Sequence, residues 1–378
     1  MDFTYDEEQQ ALREAVRGLV GKAYADFENR RQAVKAEPGY SEKVWTQLAE
    51  MGVLGLPFEE QYGGMGAGAI EVGIVAQELG RVLAPEPYLS AVVLAGGLVA
   101  AAGSEEQKTE LLGALSAGES LLAFAHDEPG SRWQPTAASV RASESDGSWT
   151  LDGVKEPVVQ GARADVLVVS AVLPDGGTGL FLVSGPDAAR EGYSTYDGGR
   201  AARVTFDGTA ATPLGSVGDR TGVIARVLDI ARITACNEAV GLMEVALDST
   251  AAYLKSRKQF GVTLNTFQAL NFRAADMYVS LELARSIAVW ATMVLADGSG
   301  EDAAIAASRA ALQVSRAGRH VGQESIQLHG GIGMTAEYSI GSYTSRLTAL
   351  DHQLGDGNHH LALLAAGVGG YDEVDPLP

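Results

Sequence analysis

Hydrophobic and polar positions in the first third of the chain follow the period of amphipathic helices. Between Asp6 and about Gly118, apolar residues recur every three to four positions, behind acidic first turns that suit the helix dipole. Ser41 is predicted as an N-cap and Gly52 as a helix stop. A glycine-rich loop, LPFEEQYGGMGAGA, follows. One face of the first helix is predicted to carry Leu12, Ala15, Val16, Leu19 and Val20.

The pattern changes twice more along the chain. From about 121 to 217, short alternating or β-branched runs such as DVLVVSAVL and ARVTFDG are separated by Asp-Gly and Gly-Gly turns, which predicts an antiparallel sheet or barrel. From Thr221 to Gly367, long proline-free segments with bundle-like spacing return. We therefore predict an α+β protein with a helical domain at 1–120, a β domain at 121–218, a helical bundle at 219–370 and a loose tail at 371–378.

Composition limits the classes of partner. The 378 residues carry a formal net charge of −20 and a pI near 4.7, which argues against a nucleic-acid partner. No run approaches the roughly 18 unbroken apolar residues of a membrane helix, so no membrane association is predicted. The acidic N-terminus does not resemble a signal peptide, and Cys236 is the single cysteine, so we expect a cytoplasmic protein without disulfides. His126, Asp127 and Glu128 form one extended run that cannot converge on an ion, so no metal site is predicted.

Three stretches carry a family resemblance that covers nearly the whole chain. They are LPFEEQYGGMGAGAIEVGIVAQELGR with the following GSEEQKTELLGALSAGESLLAFAHDEP, then YLKSRKQFGVTLNTFQALNFRAADM, and last QLHGGIGMTAEY. Together and in this order they resemble the acyl-CoA dehydrogenase family, and most closely the small subunits of two-component enzymes of the pimeloyl-CoA and actinobacterial steroid-degradation kind. The resemblance implies an α+β fold with an N-terminal helical domain, a middle antiparallel β domain and a C-terminal four-helix bundle.

The second and third stretches contain groups suited to a dinucleotide. Arg257 offers a planar fork of donors for a diphosphate, and Phe260 supplies an aromatic face beside it. Glycines at 330 and 331 let backbone N–H groups approach a phosphate or an adenine edge. In the family, these segments cross a subunit interface to hold the ADP half of an FAD whose flavin lies on the neighbouring subunit. The resemblance thus implies an FAD half-site made of Arg257, Gln259, Phe260, Gln268, Gln327, Gly330 and Gly331.

The flavin side departs from the family pattern. The usual Thr-Glu-Pro segment reads AFAHDEPGSRW here, with Asp127 at the threonine position and Arg132 and Trp133 disturbing the continuation. The usual Trp-Ile-Thr run after a lysine is replaced, with Pro157 at the tryptophan position and Val159 at the threonine position. An aromatic wall and a hydroxyl group are therefore missing.

The catalytic base is missing as well. Dehydrogenation of an acyl-CoA thioester needs a desolvated carboxylate to remove the α-proton. Leu354 occupies the family's usual glutamate position, and the alternative position on the preceding long helix falls near Ala231. Asp356 is the low-probability substitute, with a helix N-cap as the competing interpretation. Glu238 lies about two turns beyond Ala231 and is expected to point elsewhere.

These losses favour one hypothesis and leave others open. The chain is interpreted as the base-lacking small subunit of an FAD-dependent acyl-CoA dehydrogenase, completing the FAD site of a large partner in an α2β2 assembly, with an electron-transfer flavoprotein or similar acceptor. A bulky cyclic or dicarboxylic acyl-CoA is the substrate class that the resemblance suggests. The alternatives are a self-sufficient homotetramer with Asp356 as base, a non-catalytic CoA-ester-binding scaffold, and flavin monooxygenase chemistry, against which the eroded flavin wall counts.

Overall fold

The N-terminal part of the protein is helical, as the periodicity predicted. The computed structural model describes residues 4–298 and 300–368. Asp6 forms a capping box with Gln9, and Ser41 accepts a hydrogen bond from the backbone of Val44, so the predicted N-cap is confirmed. Gly52 has φ of +75° just after the third helix, as a helix stop requires. The helices are α1 (Glu7–Ala23), α2 (Phe27–Lys35), α3 (Glu42–Glu50), α4 (Ala69–Arg81), α5 (Gly97–Ala102) and α6 (Glu105–Ser116).

A π-helix, Tyr88–Gly96, precedes α5 and is buried along its whole length. Its wider turns place the side chains of Ser90 and Leu94 on the wall of a cavity described below. π-Helical turns are rare and concentrate at functional sites. The segment also packs against the first strand and the longest helix of the protein, so it joins all three structural regions.

Seven strands form the middle of the protein. The order β1-β4-β2-β3-β7-β5, with β6 on β7 and a further β4–β5 pairing, closes most of the sheet into a flattened barrel. Pairing is antiparallel except that β1 and β2 each run parallel to β4. The barrel encloses its own apolar core of side chains such as Phe181, Val204 and Phe206. The strands are β1 (Leu122–Ala125), β2 (Arg141–Ser145), β3 (Ser148–Val159), β4 (Val166–Val172), β5 (Thr178–Ser184), β6 (Ala189–Ser194) and β7 (Arg200–Pro213).

The C-terminal part is a bundle of three long helices with two short ones added. α10 packs on α7 and α9 and takes the fourth bundle position, while α11 covers α9. The α+β fold class predicted from the sequence is confirmed, and the predicted tail at 371–378 lies outside the described residues. The elements are α7 (Thr221–Ser256), β8 (Lys258–Gln259), β9 (Val262–Thr263), α8 (Gln268–Ala296), α9 (Gly300–His329), α10 (Ile340–Gln353) and α11 (Gly357–Ala366).

Helix α8 bears on the prediction that the chain has no membrane-spanning segment. By length and mean hydropathy alone it would suffice to cross a membrane, although no unbroken apolar run had been found. Charged residues such as Arg273 and Glu282 interrupt it, and it packs against α7 and α9 as a bundle helix. A single helix of this kind is weak support for a membrane span, because bundle helices share the same composition.

Candidate functional site

Three helix ends converge at one end of the bundle. Tyr253, near the end of α7, stacks on His329, the last residue of α9, with ring centroids 4.5 Å apart. Tyr338 also contacts the imidazole, with ring centroids 5.0 Å apart, and meets Tyr253 edge-on at 6.3 Å. Because α8 runs back along α7, its first residue, Gln268, lies at the same end. The segments predicted to hold the dinucleotide are therefore brought together by an aromatic cluster around the buried His329.

A two-residue hairpin separates α7 from α8. Lys258 pairs with Thr263 and Gln259 with Val262, and the turn between them is made by residues with positive φ, Phe260 at +54° and Gly261 at +81°. The turn pushes the Phe260 ring into solvent, where 89% of the residue is exposed. An aromatic side chain with so much exposed surface is normally covered by a partner or a ligand.

The same end of the bundle offers donors to an anion. Among the described residues, Arg257 and Lys258 make no ion pair, although the chain carries a large excess of acids. The N-terminus of α8 has no side-chain cap, so its first N–H groups remain available. Gly330 has φ of +66°, and a Cβ atom at Gly330 or Gly331 would meet open space. This combination fits a diphosphate.

All members of the predicted half-site face solvent. Their positions at the ends of α7, α8 and α9 are compatible with the predicted role, and the individual FAD contacts stay a prediction. The exposed set is Arg257, Gln259, Phe260, Gln268, Gln327, Gly330 and Gly331.

A second feature is a cavity of about 510 Å³ between the β barrel, the π-helix and the bundle, here called the interdomain cavity. From the bundle side its walls are formed by α7 and by the end of α10. Leu354 lies on this wall, 8% exposed, and its carbonyl oxygen accepts a hydrogen bond of 2.9 Å from Nε of Arg232. Ala231 is fully buried. Among the described residues, no carboxylate of the bundle lines this cavity.

Both sequence-based substitutes for the base are engaged elsewhere. Asp356 caps α11, accepting the backbone N–H of His359 at 2.8 Å. Of the two roles predicted for Asp356, the structure shows the helix N-cap. Glu238 pairs with Nε of Arg346 at 2.7 Å and lines a different, small polar cavity. It points away from the interdomain cavity, as expected from its position on α7.

The barrel side of the cavity is acidic, which sequence reasoning had not predicted. Asp127, Glu128 and Glu156 all contribute to the lining. Glu128 is held by the buried Lys155, whose Nζ lies 2.7 Å from the carboxylate, and this pair keeps the pKa of Glu128 low, at about 2, despite its burial. Burial raises the pKa of Asp127 to about 6, against the attraction of Lys155. In the sequence, the pair of Lys155 and Glu128 is indicated only by two charged residues among strand-like segments.

Trp133 spans the cavity from the barrel to the bundle. Its backbone has φ of +63°, and its indole Nε1 donates a hydrogen bond of 2.9 Å to the carbonyl oxygen of His352. The indole also contacts the ring of His359 at 5.3 Å. A contact between residues 219 positions apart cannot be read from local sequence patterns.

Comparison with known proteins finds matches to the N-terminal and C-terminal helical parts of the chain. The family profile for the acyl-CoA dehydrogenase N-terminal domain matches residues 6–119, and that for the C-terminal domain matches 221–369. The chain belongs to the acyl-CoA dehydrogenase family. Members of this family are FAD-dependent oxidoreductases, and this chain shares their fold.

Three similar proteins illustrate the range of relatives. Probable acyl-CoA dehydrogenase YngJ of Bacillus subtilis is 28% identical, over 90% of this chain and 92% of its own. A variant of the Tcur3481–Tcur3483 steroid ACAD is 31% identical, with a TM-score of 0.87 over 96% of this chain and 98% of that one. The ChsE4–ChsE5 complex from Mycobacterium tuberculosis contains a chain 27% identical, with a TM-score of 0.90 over 99% and 100%.

The residues present fit one half of FAD and not the other. The helix ends supply a guanidinium, free N–H groups and an aromatic face, which suit the ADP portion. In the interdomain cavity, Pro157 and Val159 supply neither the tryptophan ring nor the hydroxyl group of the family pattern. Trp133, Asp127 and Glu156 line the cavity instead, and Glu156 is paired with Arg203 at 2.7 Å. The flavin side of this acyl-CoA dehydrogenase chain therefore departs from the family pattern, whereas its ADP side follows it.

Proposed function

We propose that this chain is the base-lacking small subunit of a two-component, FAD-dependent acyl-CoA dehydrogenase. The observation that carries the proposal is the contrast between its two sites. The half-site aimed at a neighbour keeps its guanidinium, its free helix N-terminus and its open glycines. The cavity that would hold this chain's own flavin has Leu354 in place of the base, and its acids lie on the barrel side.

Relatives of this architecture support a heteromer. The steroid ACAD and the ChsE4–ChsE5 complex each carry two protein names, and each contains a chain that matches this one over nearly its full length. We infer that a related large subunit, with an intact glutamate, is the partner in an α2β2 assembly. By the same analogy, the substrate is a bulky cyclic or dicarboxylic acyl-CoA in the cytoplasm.

Helix α8 provides a surface for such a partner. Phe272, Val279 and Leu283 are each more than half exposed and recur at the spacing of one helix face, while Tyr278, also exposed, lies about a third of a turn away. Apolar side chains clustered on one exposed helix face mark a protein interface. The face is contiguous in sequence with the hairpin that carries Phe260, so a subunit bound along α8 would reach the half-site.

In the assembled enzyme, this chain's task is binding and orientation. FAD, when bound, supplies the acceptor for the hydride that leaves the acyl β-carbon. Arg257 would neutralise the diphosphate, and the backbone N–H groups of α8 and of Gly330 and Gly331 would add hydrogen bonds. The partner's carboxylate would remove the α-proton, because the bundle wall of this chain has none to offer. Electrons would pass on to an electron-transfer flavoprotein or a similar acceptor.

Flavin stoichiometry tests the proposal directly. The full chain is co-expressed with the product of a neighbouring gene that encodes a large subunit retaining the glutamate, and FAD is quantified from absorbance after denaturation. We expect about one FAD for every two chains, and loss of most of that FAD with Arg257→Ala. As matched control, Arg226→Ala changes another exposed arginine away from the half-site. One FAD per chain, or turnover by this chain alone, would overturn the proposal, and a stable complex without flavin would favour the scaffold alternative.

One observation favours a second candidate, a self-sufficient dehydrogenase that uses Asp127. Its carboxyl group lines the interdomain cavity, and burial raises its pKa to about 6, a value useful for a general base. This candidate predicts a yellow homomer whose turnover is abolished by Asp127→Asn. Under the small-subunit proposal, the same variant leaves the turnover of the complex unchanged.

A further inference from the structure

A separate cavity lies inside the C-terminal bundle, here called the bundle cavity. It measures about 420 Å³ and is bounded by α7, α9, α10 and the start of α11, with Tyr196 of the β6–β7 connection at its mouth. Arg232 separates it from the interdomain cavity. This side chain is fixed on both sides, by Asp229 at 2.7 Å and by the carbonyl oxygen of Leu354 at 2.9 Å, so it forms a stable partition between the two cavities.

Small residues on facing helices create the space. Ala235 and Ala239 of α7 face Ala311 and Gly318 of α9 across the cavity. Protein interiors are close-packed, and voids much larger than a water molecule are rare. A cavity of this size inside a bundle corresponds to the volume of small-molecule sites, which begin at about 300 Å³.

The cavity has two polar groups with unmet hydrogen-bonding capacity. His360 of α11 is fully buried, and in the described part of the chain at most one of its ring nitrogens has a partner, the Gly355 backbone. Oδ1 of Asp351 is likewise buried without a partner there. Buried polar atoms almost always have a hydrogen-bond partner, so unpartnered atoms of two residues in one cavity lining indicate a missing partner.

His360 is uncharged in this setting. Burial, and then the positive charge of Arg232, lower its pKa to about 4. A neutral imidazole offers one N–H donor and one nitrogen acceptor, which together suit a hydroxyl group or a carbonyl group. The alanine and leucine residues of the lining suit an apolar body, while polar residues of the lining such as Arg319, Gln323 and Thr348 are exposed to solvent. A single water molecule would satisfy His360, but it would leave the apolar part of the cavity unfilled.

We propose that the bundle cavity is a binding site for a compact, uncharged and largely apolar molecule that carries a hydroxyl or carbonyl group, with that group bound by His360. Nothing in the acyl-CoA dehydrogenase reaction requires this site, and it lies on the far side of Arg232 from the interdomain cavity. The inference is independent of the proposed small-subunit role, because the site belongs to this chain alone.

A matched set of three probes tests the proposal on the full chain. Cyclohexanol, cyclohexanecarboxylate and cyclohexylammonium have the same ring and differ in charge. Each is titrated while the imidazole Cε1–H signal of His360 is followed by NMR, assigned by its absence in His360→Leu. We expect cyclohexanol to bind with saturation and at least about fivefold more tightly than either charged probe. No saturable shift with any probe, or preference for a charged one, would overturn the assignment.

Two variants locate the binding and a third controls for general effects. Ala239→Leu fills the bundle cavity and should abolish the affinity for cyclohexanol, read by calorimetry as well as by NMR. His360→Leu removes the polar partner and should weaken binding about fivefold, the effect of one neutral hydrogen bond. Leu94→Phe narrows the interdomain cavity by a comparable volume and should change the affinity less than twofold. If Leu94→Phe weakens binding and Ala239→Leu does not, the probe occupies the other cavity and the proposal is wrong. Circular dichroism of each variant confirms folding.

Discussion

At the scale of single residues, burial decides which acid can change charge near neutral pH. Glu86 is almost fully buried, and its Oε1 accepts hydrogen bonds from the Tyr24 hydroxyl at 2.5 Å and the Ser41 backbone at 3.2 Å. Its other oxygen has no partner in the described part of the chain. Burial is the dominant cause that raises its pKa to about 7, while these hydrogen bonds and the charge of Arg30 oppose the rise.

This shift predicts a stability that declines as pH rises. The folded pKa of Glu86 lies above its ordinary value of 4.5, so the folded state holds the proton more tightly. The contribution is fully present below pH 4.5 and is lost as pH rises through 7, a difference of up to about 3 kcal/mol. Urea denaturation of the wild type and of Glu86→Gln at pH 5 and pH 8 measures it. The wild type should lose stability relative to the variant between these values, and parallel pH profiles would contradict the assignment.

At the scale of elements, the ends of helices explain which polar residues are structural. Asp356 begins α11 and accepts the backbone N–H of His359, which is the geometry of an N-cap. Asp356→Ala should therefore lower the free energy of unfolding by about 1 kcal/mol, while Asp356→Asn, also a good cap, should leave it nearly unchanged. Urea denaturation measures both effects on the free energy of unfolding. Turnover of the assembled complex that carries Asp356→Asn tests whether Asp356 is the base. A complex inactivated by Asp356→Asn would instead identify Asp356 as the base.

The aromatic cluster at the other end of the bundle predicts a positioning role for His329. Its Nδ1 donates to the Ser325 carbonyl oxygen, and its ring contacts both Tyr253 and Tyr338, which ties the ends of α7 and α9 together. His329→Leu should loosen the hairpin around Phe260 and weaken FAD retention in the complex about fivefold to tenfold. Hydrogen exchange of the hairpin amides provides a readout independent of activity.

A histidine on the same helix supplies the control for this experiment. His320 bonds Oγ of Ser280 farther along α9, away from the half-site. His320→Leu should leave both hairpin exchange and FAD retention unchanged. Equal effects of the two variants would show that His329 acts only through general stability.

Elements could be predicted where one local rule decides them. The Ser41 cap, the Gly52 stop and the alternating strands follow from side-chain chemistry and period, and each is present. Long helical segments were predicted in the proline-free region from Thr221 to Gly367, but the position of the break between them was not. The chain turns into a hairpin after Ser256, where Phe260 and Gly261 adopt positive φ. The bond from Trp133 to His352 and the solvent-free setting of His360 depend on distant segments, and no local pattern encodes them.

At the scale of the whole molecule, the two sites differ in their exposure to solvent. The half-site and the apolar residues of α8 are exposed to solvent. In the interdomain cavity, Trp133 bridges the barrel and the bundle, and no described carboxylate lies on the bundle wall. The apolar residues of α8, with the exposed Asp276 among them, form a surface that the proposed partner subunit would cover.

Assembly through α8 gives the last prediction. Leu283 is 56% exposed on this helix, so Leu283→Lys should leave the isolated chain folded and yet place an ammonium group in the interface. We expect the complex with the large subunit to dissociate to smaller species in light scattering after gel filtration, with loss of FAD. Met65 in the N-terminal glycine-rich loop is similarly exposed, at 58%, and Met65→Lys serves as the matched control that keeps the assembly intact. An intact complex carrying Leu283→Lys would exclude the α8 face from the interface and would require the partner to reach the half-site from the side of α9.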